Sequence, residues 1–192
     1  MKKYFVKRGS LILPEQIQVG EREDFRNKNK KNDAVDGPVL VKIPVKVDFI
    51  PLRKILQKFF ELSNVFQDTI DYLTNLENHK TIISNLVQGK FWKNFRRSFD
   101  ETKFNFPITL YYDDYETNNP LGSHAGFGKI GAVYALLPGL PPVHQSKREN
   151  IFLVLSFNTL DRPVVGAEAI FRPAINELEY LKEHGITIRI NN

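Results

Sequence analysis

Three β-rich apolar runs follow one another in the second half of the sequence and are succeeded by one long helical pattern, an order that few folds accommodate. The runs are Ile108–Tyr115, Lys129–Leu137 and Asn150–Asn158, rich in Val, Ile, Tyr and Phe. The Pro-Gly-Leu-Pro-Pro stretch at 138–142 separates the second from the third as a turn. A helix is expected over Val165–His184, because Ile170, Phe171, Ala174, Ile175, Leu178 and Leu181 recur along one stripe and Gly185 is suited to end it. Ile186, Ile188 and Ile190 then alternate with polar residues, which predicts a fourth strand. The order reads β-β-β-α-β.

The first half has a different rhythm. Val39, Val41, Ile43, Val45 and Val47 alternate as in a half-buried strand, and Pro44, which has no N–H to give to a neighbour, confines that strand to a sheet edge. Leu52, Ile55, Leu56, Phe59 and Phe60 lie at helical spacing, with Pro51 tolerated at the start. Asn64 is placed to cap a second helix carrying Phe66, Ile70 and Leu73, and Ile82, Ile83, Leu86 and Val87 predict a third. Residues 20–37 are almost wholly polar and read as a loop bearing the basic cluster Arg26, Lys28, Lys30 and Lys31. The chain thus divides into a polar segment with an edge strand (1–47), a small helical unit (48–103) and a β-rich unit (104–192).

Composition removes several chemistries. With no cysteine among 192 residues there is no disulfide, thiol nucleophile or thiolate-held metal. No stretch reaches the roughly 18–20 continuous apolar residues that cross a bilayer, and the apolar residues after Lys2 and Lys3 are interrupted by Lys7, Arg8 and Gly9, unlike a secretory leader. An intracellular chain without a membrane span is expected. The 27 basic against 22 acidic side chains leave +5, so the placement of the cations matters more than their sum.

One basic segment stands out. Gly89–Phe99 interleaves Lys90, Lys93, Arg96 and Arg97 with Phe91, Trp92, Phe95 and Phe99. The spacing predicts a helix with the aromatics buried and the cations on the solvated side. Contact of those four cations with nucleic-acid phosphates is compatible with that arrangement, and stacking of bases on the rings would require the rings to be exposed.

Other candidates are weaker. Gly122–Gly128 lacks the Gly-Lys-Ser/Thr of a phosphate loop and reads as a turn. Ser123 and His124 are adjacent, so on an extended chain they point apart, and His79, His124, His144 and His184 have no metal-ligand spacing.

Three strands, a crossover helix and a fourth strand open an RNase H-like fold, an α+β or α/β architecture here preceded by a helical extension. Enzymes of that fold place a metal-binding carboxylate on the first strand, where this chain has Asp113 and Asp114. Two hard divalent cations require several converging carboxylates. Glu168 and Glu177 are nine residues apart on the helix and fall on opposite sides, while Glu177 and Glu179 flank the apolar stripe. Asp161, before Pro163, reads as a turn former, and Glu116 meets Asp113 only if the strand bends or ends.

The run Leu110-Tyr111-Tyr112-Asp113-Asp114-Tyr115-Glu116, then Asn119-Pro120-Leu121-Gly122-Ser123 and Lys129-Ile130-Gly131-Ala132-Val133-Tyr134, resembles a family of transposon-derived animal proteins. That family reads Leu-Tyr-x-Asp-x-Phe/Tyr-Glu, Asn-Pro-Leu-Gly-Ser and a lysine-led strand ending in Ala-Val-Tyr. The similarity runs from about Pro51 to Ile190 and includes residues 86–90, Trp92 and Phe171-Arg172-Pro173. It implies a DDE-type, RNase H-like transposase domain, with Asp113 as metal ligand and catalytic residue, Glu116 as a further motif acid, and Mg²⁺ or Mn²⁺ as cofactor. The family's following Gly-Asp-Asn-Leu-Gly segment, a source of a second acid, has no counterpart here.

These observations lead to the expectation of a partial, transposase-derived chain without catalytic activity of its own. The alternative is a module that binds nucleic acid, DNA above all, or recruits another protein chain along an open sheet edge. A DNA-linked ancestry is compatible with the nucleus.

Overall fold

The computed structural model describes residues 11–27, 38–78, 82–100, 102–117, 128–145 and 147–190. Strands β1 (Glu15–Asn27) and β2 (Pro38–Phe49) form a long antiparallel hairpin, and β3 (Thr109–Glu116), β4 (Lys129–Leu136) and β5 (Phe152–Asn158) form an antiparallel meander. Two cross-strand pairs, Asp48 with Ser156 and Phe49 with Leu155, join them into one five-stranded sheet of order β1-β2-β5-β4-β3. Six helices are found among the described residues: α1 (Leu52–Phe60), α2 (Val65–Asn78), α3 (Lys90–Arg96), α4 (Pro142–Gln145), α5 (Arg162–Val165) and α6 (Ala167–His184).

The principal core lies between the sheet and helices α1 and α6. Val45, Val47 and Phe49 of β2, Val133 and Ala135 of β4, and Phe152, Leu155 and Phe157 of β5 meet Leu52, Leu56, Phe59 and Phe60 of α1 and Ile170 and Ala174 of α6. A bulge makes this possible on β5. Val133 pairs with Leu155 but the next residue, Tyr134, pairs with Leu153, so the extra residue on β5 turns Phe152 to the face of Leu155 and Phe157. The rings of Phe59 and Phe152 then meet edge to face at 5.1 Å, as do Phe157 and Phe171 at 5.7 Å. Leu76, Val87 and Trp92 form a second, smaller core under α2 and α3. The 48–103 stretch is therefore shared between two cores, with α1 belonging to that of the sheet.

The strand over Val39–Val47 is present, and Pro44 sits where β2 has β1 as its partner and is beyond its two pairs with β5. Residues 20–27, expected as loop, are strand instead. Residues 21–25 of β1 alternate between exposed and half-buried, but the half-buried positions Arg22 and Asp24 are charged, so the apolar alternation that marks a strand is missing there. Cross-strand pairs such as Glu23 with Lys42 take its place. Lys28, Lys30 and Lys31 lie outside the described residues.

The helix expected from Ile82 to Val87 is absent, and a 3₁₀ turn at Leu86–Gln88 takes its place while Ile82 and Ile83 are exposed. Buried Gln88 explains this. Its Oε1 accepts from the backbone N–H of Ser84 (2.8 Å) and Asn85 (3.1 Å), and its Nε2 donates to the carbonyls of Leu76 and Ile82, both at 3.1 Å. Asn85 Oδ1 accepts from Val87 N, completing a reciprocal cap. These side-chain bonds occupy the backbone groups that a helix would use.

The expected long helix is present as α6, beginning at Ala167 rather than Val165 because Gly166, with φ of 88°, separates it from α5, and it ends at Gly185 with φ of 67°. Ile175 is exposed, whereas Glu177 is buried on the packed side. Asn64 precedes α2 with φ of 65°, a left-handed conformation that asparagine tolerates. Ile186–Ile190 is not a strand: it runs beside α1, where Gln57 Nε2 donates to the Thr187 carbonyl (3.1 Å) and Arg189 N donates to Glu61 (3.2 Å). The alternation is real, since Ile186 and Ile188 pack on the core, but their neighbour is a helix. No described strand lies beyond β3, and no described helix is long and apolar enough to cross a membrane.

Candidate nucleic-acid interface

β3 carries the acids of the sequence motif. Its register with β4 is unbroken from Thr109 to Glu116, so side chains alternate strictly between the two faces. Tyr112, Asp114 and Glu116 share the face of the helices, and Asp113 stands on the other with Tyr111 and Tyr115. Asp113 and Glu116, three residues apart on a straight strand, are thereby held on opposite faces.

Asp113 and Asp114 have structural partners. Asp113 accepts the backbone N–H of Asp114 at 2.9 Å. Asp114 accepts the Tyr112 hydroxyl, which itself accepts from Arg162 Nη1 at 2.9 Å. The Tyr112 ring lies parallel to Phe157 and edge-on to Phe171, and burial, followed by the bond to Asp114, pushes its phenol up to about 12. This chain of bonds ties the β3 edge to the start of α5. Sequence reading missed Arg162, because nothing in its spacing from Tyr112 marks a contact across 50 residues.

The remaining acids are dispersed. Asp161, in the turn after β5, is buried and bonded to Arg22 of β1 at 2.6 Å. Glu177 faces Arg53 of α1, and Glu168 pairs with Arg172. His144 bonds to Asp68 at 3.1 Å, and His184 stacks on Tyr180. Among the described residues no three His, Asp or Glu side chains converge on a point where a cation could sit. The described carboxylates therefore do not fit the Mg²⁺ or Mn²⁺ pair that the family resemblance implies. His79, Ser123 and His124, with the glycine run at 122–127, lie outside the described residues.

The basic segment has a different geometry. Gly89 opens α3, which runs from Lys90 to Arg96, and Arg97 continues the helical conformation at its end. At about 100° per residue, Lys90, Lys93 and Arg97 fall within an arc of about 60°. All three are exposed and form no ion pair among the described residues. Arg96 lies about 60° beyond Lys93, towards Trp92, which is buried in the small core, and it is paired with Glu77 of α2. Trp92 and Arg96 thus anchor the helix, and the other three cations face outward. Asn94, exposed one turn from Lys90, sits at the margin of the cationic arc; its i+4 spacing from Lys90 was the available signal.

The aromatics depart from expectation. Trp92 is buried, but Phe91 is 79% and Phe95 44% exposed. Their rings are nearly parallel, 8° apart in plane with centroids at 6.0 Å, and Phe99 closes edge-on against Phe95 at 5.0 Å. A seven-residue helix on a three-residue core has room to bury one large ring, and Trp92 fills it. The surface of α3 consequently carries the cationic arc on one side and the exposed Phe91–Phe95 pair about 100° or more further round the helix.

Comparison with family models, with curated proteins and with solved structures finds no match for the chain.

Proposed function

We propose that this protein is a non-catalytic nucleic-acid-binding module, with α3 as its contact surface. The observation that carries the reading is the outward arc of Lys90, Lys93 and Arg97, free of carboxylate partners among the described residues. Phosphates attract such a stripe without any specific base contact, and release of their counterions supplies the affinity. Descent from a transposase of the RNase H-like class is part of the proposal. It is supported by the motif around Asp113 and by the antiparallel meander β3-β4-β5 followed by α6. DNA is the favoured ligand on that descent, in a nuclear setting.

The test is fluorescence anisotropy of labelled oligonucleotides across a salt series. The parent chain binds with an affinity that falls as salt rises. Replacing Lys90, Lys93 and Arg97 together by glutamine weakens binding and reduces the magnitude of the log–log salt slope by about 2–3, as expected for three lost phosphate contacts. Salt-independent binding, or a triple variant indistinguishable from the parent, overturns the reading.

A further inference from the structure

We propose that the outer edge of β3 is a docking strand for an extended, cationic segment of another protein, one of whose arginines or lysines settles on Asp113 between Tyr111 and Tyr115. The proposal does not depend on α3 and adds a second partner to the function proposed above.

The edge is open to an added strand. β3 pairs with β4 on one side, and no described strand lies on the other. Thr117 N donates to the Gly128 carbonyl at 3.0 Å, and the same register runs unbroken along the whole of β3. In an antiparallel ladder successive residues turn their backbone groups to opposite sides, so the odd-numbered residues of β3 bond to β4 and the even-numbered ones point away from the sheet. Of these outward groups the Asp114 N–H is taken by Asp113 Oδ1 at 2.9 Å, whereas those of Leu110 and Tyr112 meet no partner among the described residues. Such a row is a template for a further strand, which gains main-chain hydrogen bonds by pairing with it.

Charge selects which strand. β3 carries Asp113, Asp114 and Glu116 and no basic residue. Asp113 and Asp114 have the Asp114 N–H and the Tyr112 hydroxyl as their bonded partners, and no cation among the described residues. A second copy of β3 would set carboxylates against carboxylates, and a nucleic acid would set phosphates against them, so like charge opposes both. A strand bearing arginine or lysine is attracted. The face of Asp113 adds to this. Tyr111 and Tyr115 stand two residues to either side of it, 52% and 44% exposed, and the Tyr134 ring backs Tyr111 at 6.4 Å. Because the backbone groups of Asp113 turn to β4, the residue facing it on an added antiparallel strand forms the closer kind of cross-strand pair, with Cα atoms about 4.5 Å apart. A cation at that position meets a carboxylate and the two exposed rings together.

The experiment uses the full chain and three labelled ten-residue peptides blocked at both ends. One alternates arginine with valine, the second has glutamate for each arginine, and the third has two of its valines replaced by proline, which cannot donate to a ladder. Fluorescence anisotropy should show binding of the first peptide and at least tenfold weaker binding of the other two. Amide exchange followed by NMR should show the Leu110 and Tyr112 N–H groups slowed by the arginine peptide, while those of Tyr111 and Asp113 are protected with or without it. Asp113→Asn and Tyr115→Ala should each weaken the arginine peptide by about twofold to fivefold, with melting temperatures within a few degrees of the parent. The variant with Lys90, Lys93 and Arg97 replaced by glutamine should bind the peptide as the parent does, which separates this edge from the nucleic-acid surface. Failure of the arginine peptide to bind overturns the proposal and leaves the reading of α3 standing. So does binding that leaves the Leu110 and Tyr112 amides as fast as before, or equal binding of the proline peptide. Protection of the same amides that grows with protein concentration in the absence of peptide would give the edge to a second copy and overturn the choice of partner.

Discussion

Arg53 and Glu177 join α1 to α6 through one carboxylate held on both oxygens. Oε1 accepts from the Arg53 backbone N–H at 2.7 Å and from Nε at 3.0 Å, while Oε2 accepts from Nε at 2.9 Å and from Nη2 at 2.5 Å. Those bonds hold the guanidinium above its usual range, and the guanidinium carbon lies 3.5 Å from the centre of the Tyr180 ring. The partners are unequally placed: the Glu177 side chain is 1% exposed and that of Arg53 36%.

That inequality gives an asymmetric prediction. Arg53→Ala leaves a buried carboxylate with one backbone donor and should destabilise the chain by about 3–5 kcal/mol. Glu177→Gln still accepts from Arg53 and leaves a cation that water can reach, so its cost should be about 1–2 kcal/mol. Urea unfolding of the two variants measures the difference, and equal costs would refute the asymmetry.

Tyr112 predicts a change at high pH. Burial, then the hydrogen bond to Asp114, raise its phenol to about 12, against about 10 in an unfolded chain. The neutral form is the one that the fold favours, so this contribution to stability is complete below about pH 10 and is lost as pH rises towards 12. Absorbance titration at the phenolate band should show one tyrosine with a midpoint near 12 that is missing in Tyr112→Phe. Burial also raises Tyr134, so the variant should retain one tyrosine that titrates above the ordinary phenol range.

The acids of β3 predict silence in a cleavage assay. Asp113 and Glu116 face opposite sides of the sheet, and Asp114 is bonded to Tyr112. Supercoiled DNA incubated with the purified chain in Mn²⁺ should therefore remain intact, and Asp113→Asn should behave as the parent does. Nicking that disappears in Asp113→Asn would show that a metal site assembles at this strand.

On β2, α1 and α6 most of the positions that pack on the core were marked by apolar period. Val45 and Val47 on β2, Leu52, Leu56, Phe59 and Phe60 on α1, and Ile170 and Ala174 on α6 were legible as periodic apolar positions, and all of them are buried. The distal part of β1 was not legible, because its half-buried positions are held by Arg22 and Asp24, which pair with each other, Arg22 also bonding Asp161, and charged residues give no apolar period. Ile186–Ile190 misled for the converse reason: alternation records which side is buried and is silent on whether the neighbour is a strand or a helix. At the candidate interface the cations were readable, but not their division. The pairing of Arg96 with Glu77 depends on how α2 crosses α3, and the exposure of Phe91 on the small volume of the core that Trp92 fills.

Gly131 supplies the last prediction. It pairs across the sheet with Phe157, whose ring covers the place where a side chain would stand: a Cβ added at Gly131 would lie 2.6 Å from Cζ. A ring tip can often swing aside, but this one is buried and fixed between Tyr112, parallel at 6.1 Å, and Phe171, edge-on at 5.7 Å. Displacing it would also disturb Tyr112 and hence the bonds to Asp114 and Arg162. Gly131→Ala should cost about 1–3 kcal/mol through overpacking, and it should shift the alkaline titration of Tyr112 towards the ordinary phenol range. Combining Gly131→Ala with Phe157→Leu removes the clash, so the double variant should be more stable than the two single costs added together. Simple additivity in denaturant unfolding would show that the ring is free to move, contrary to the packing seen around it.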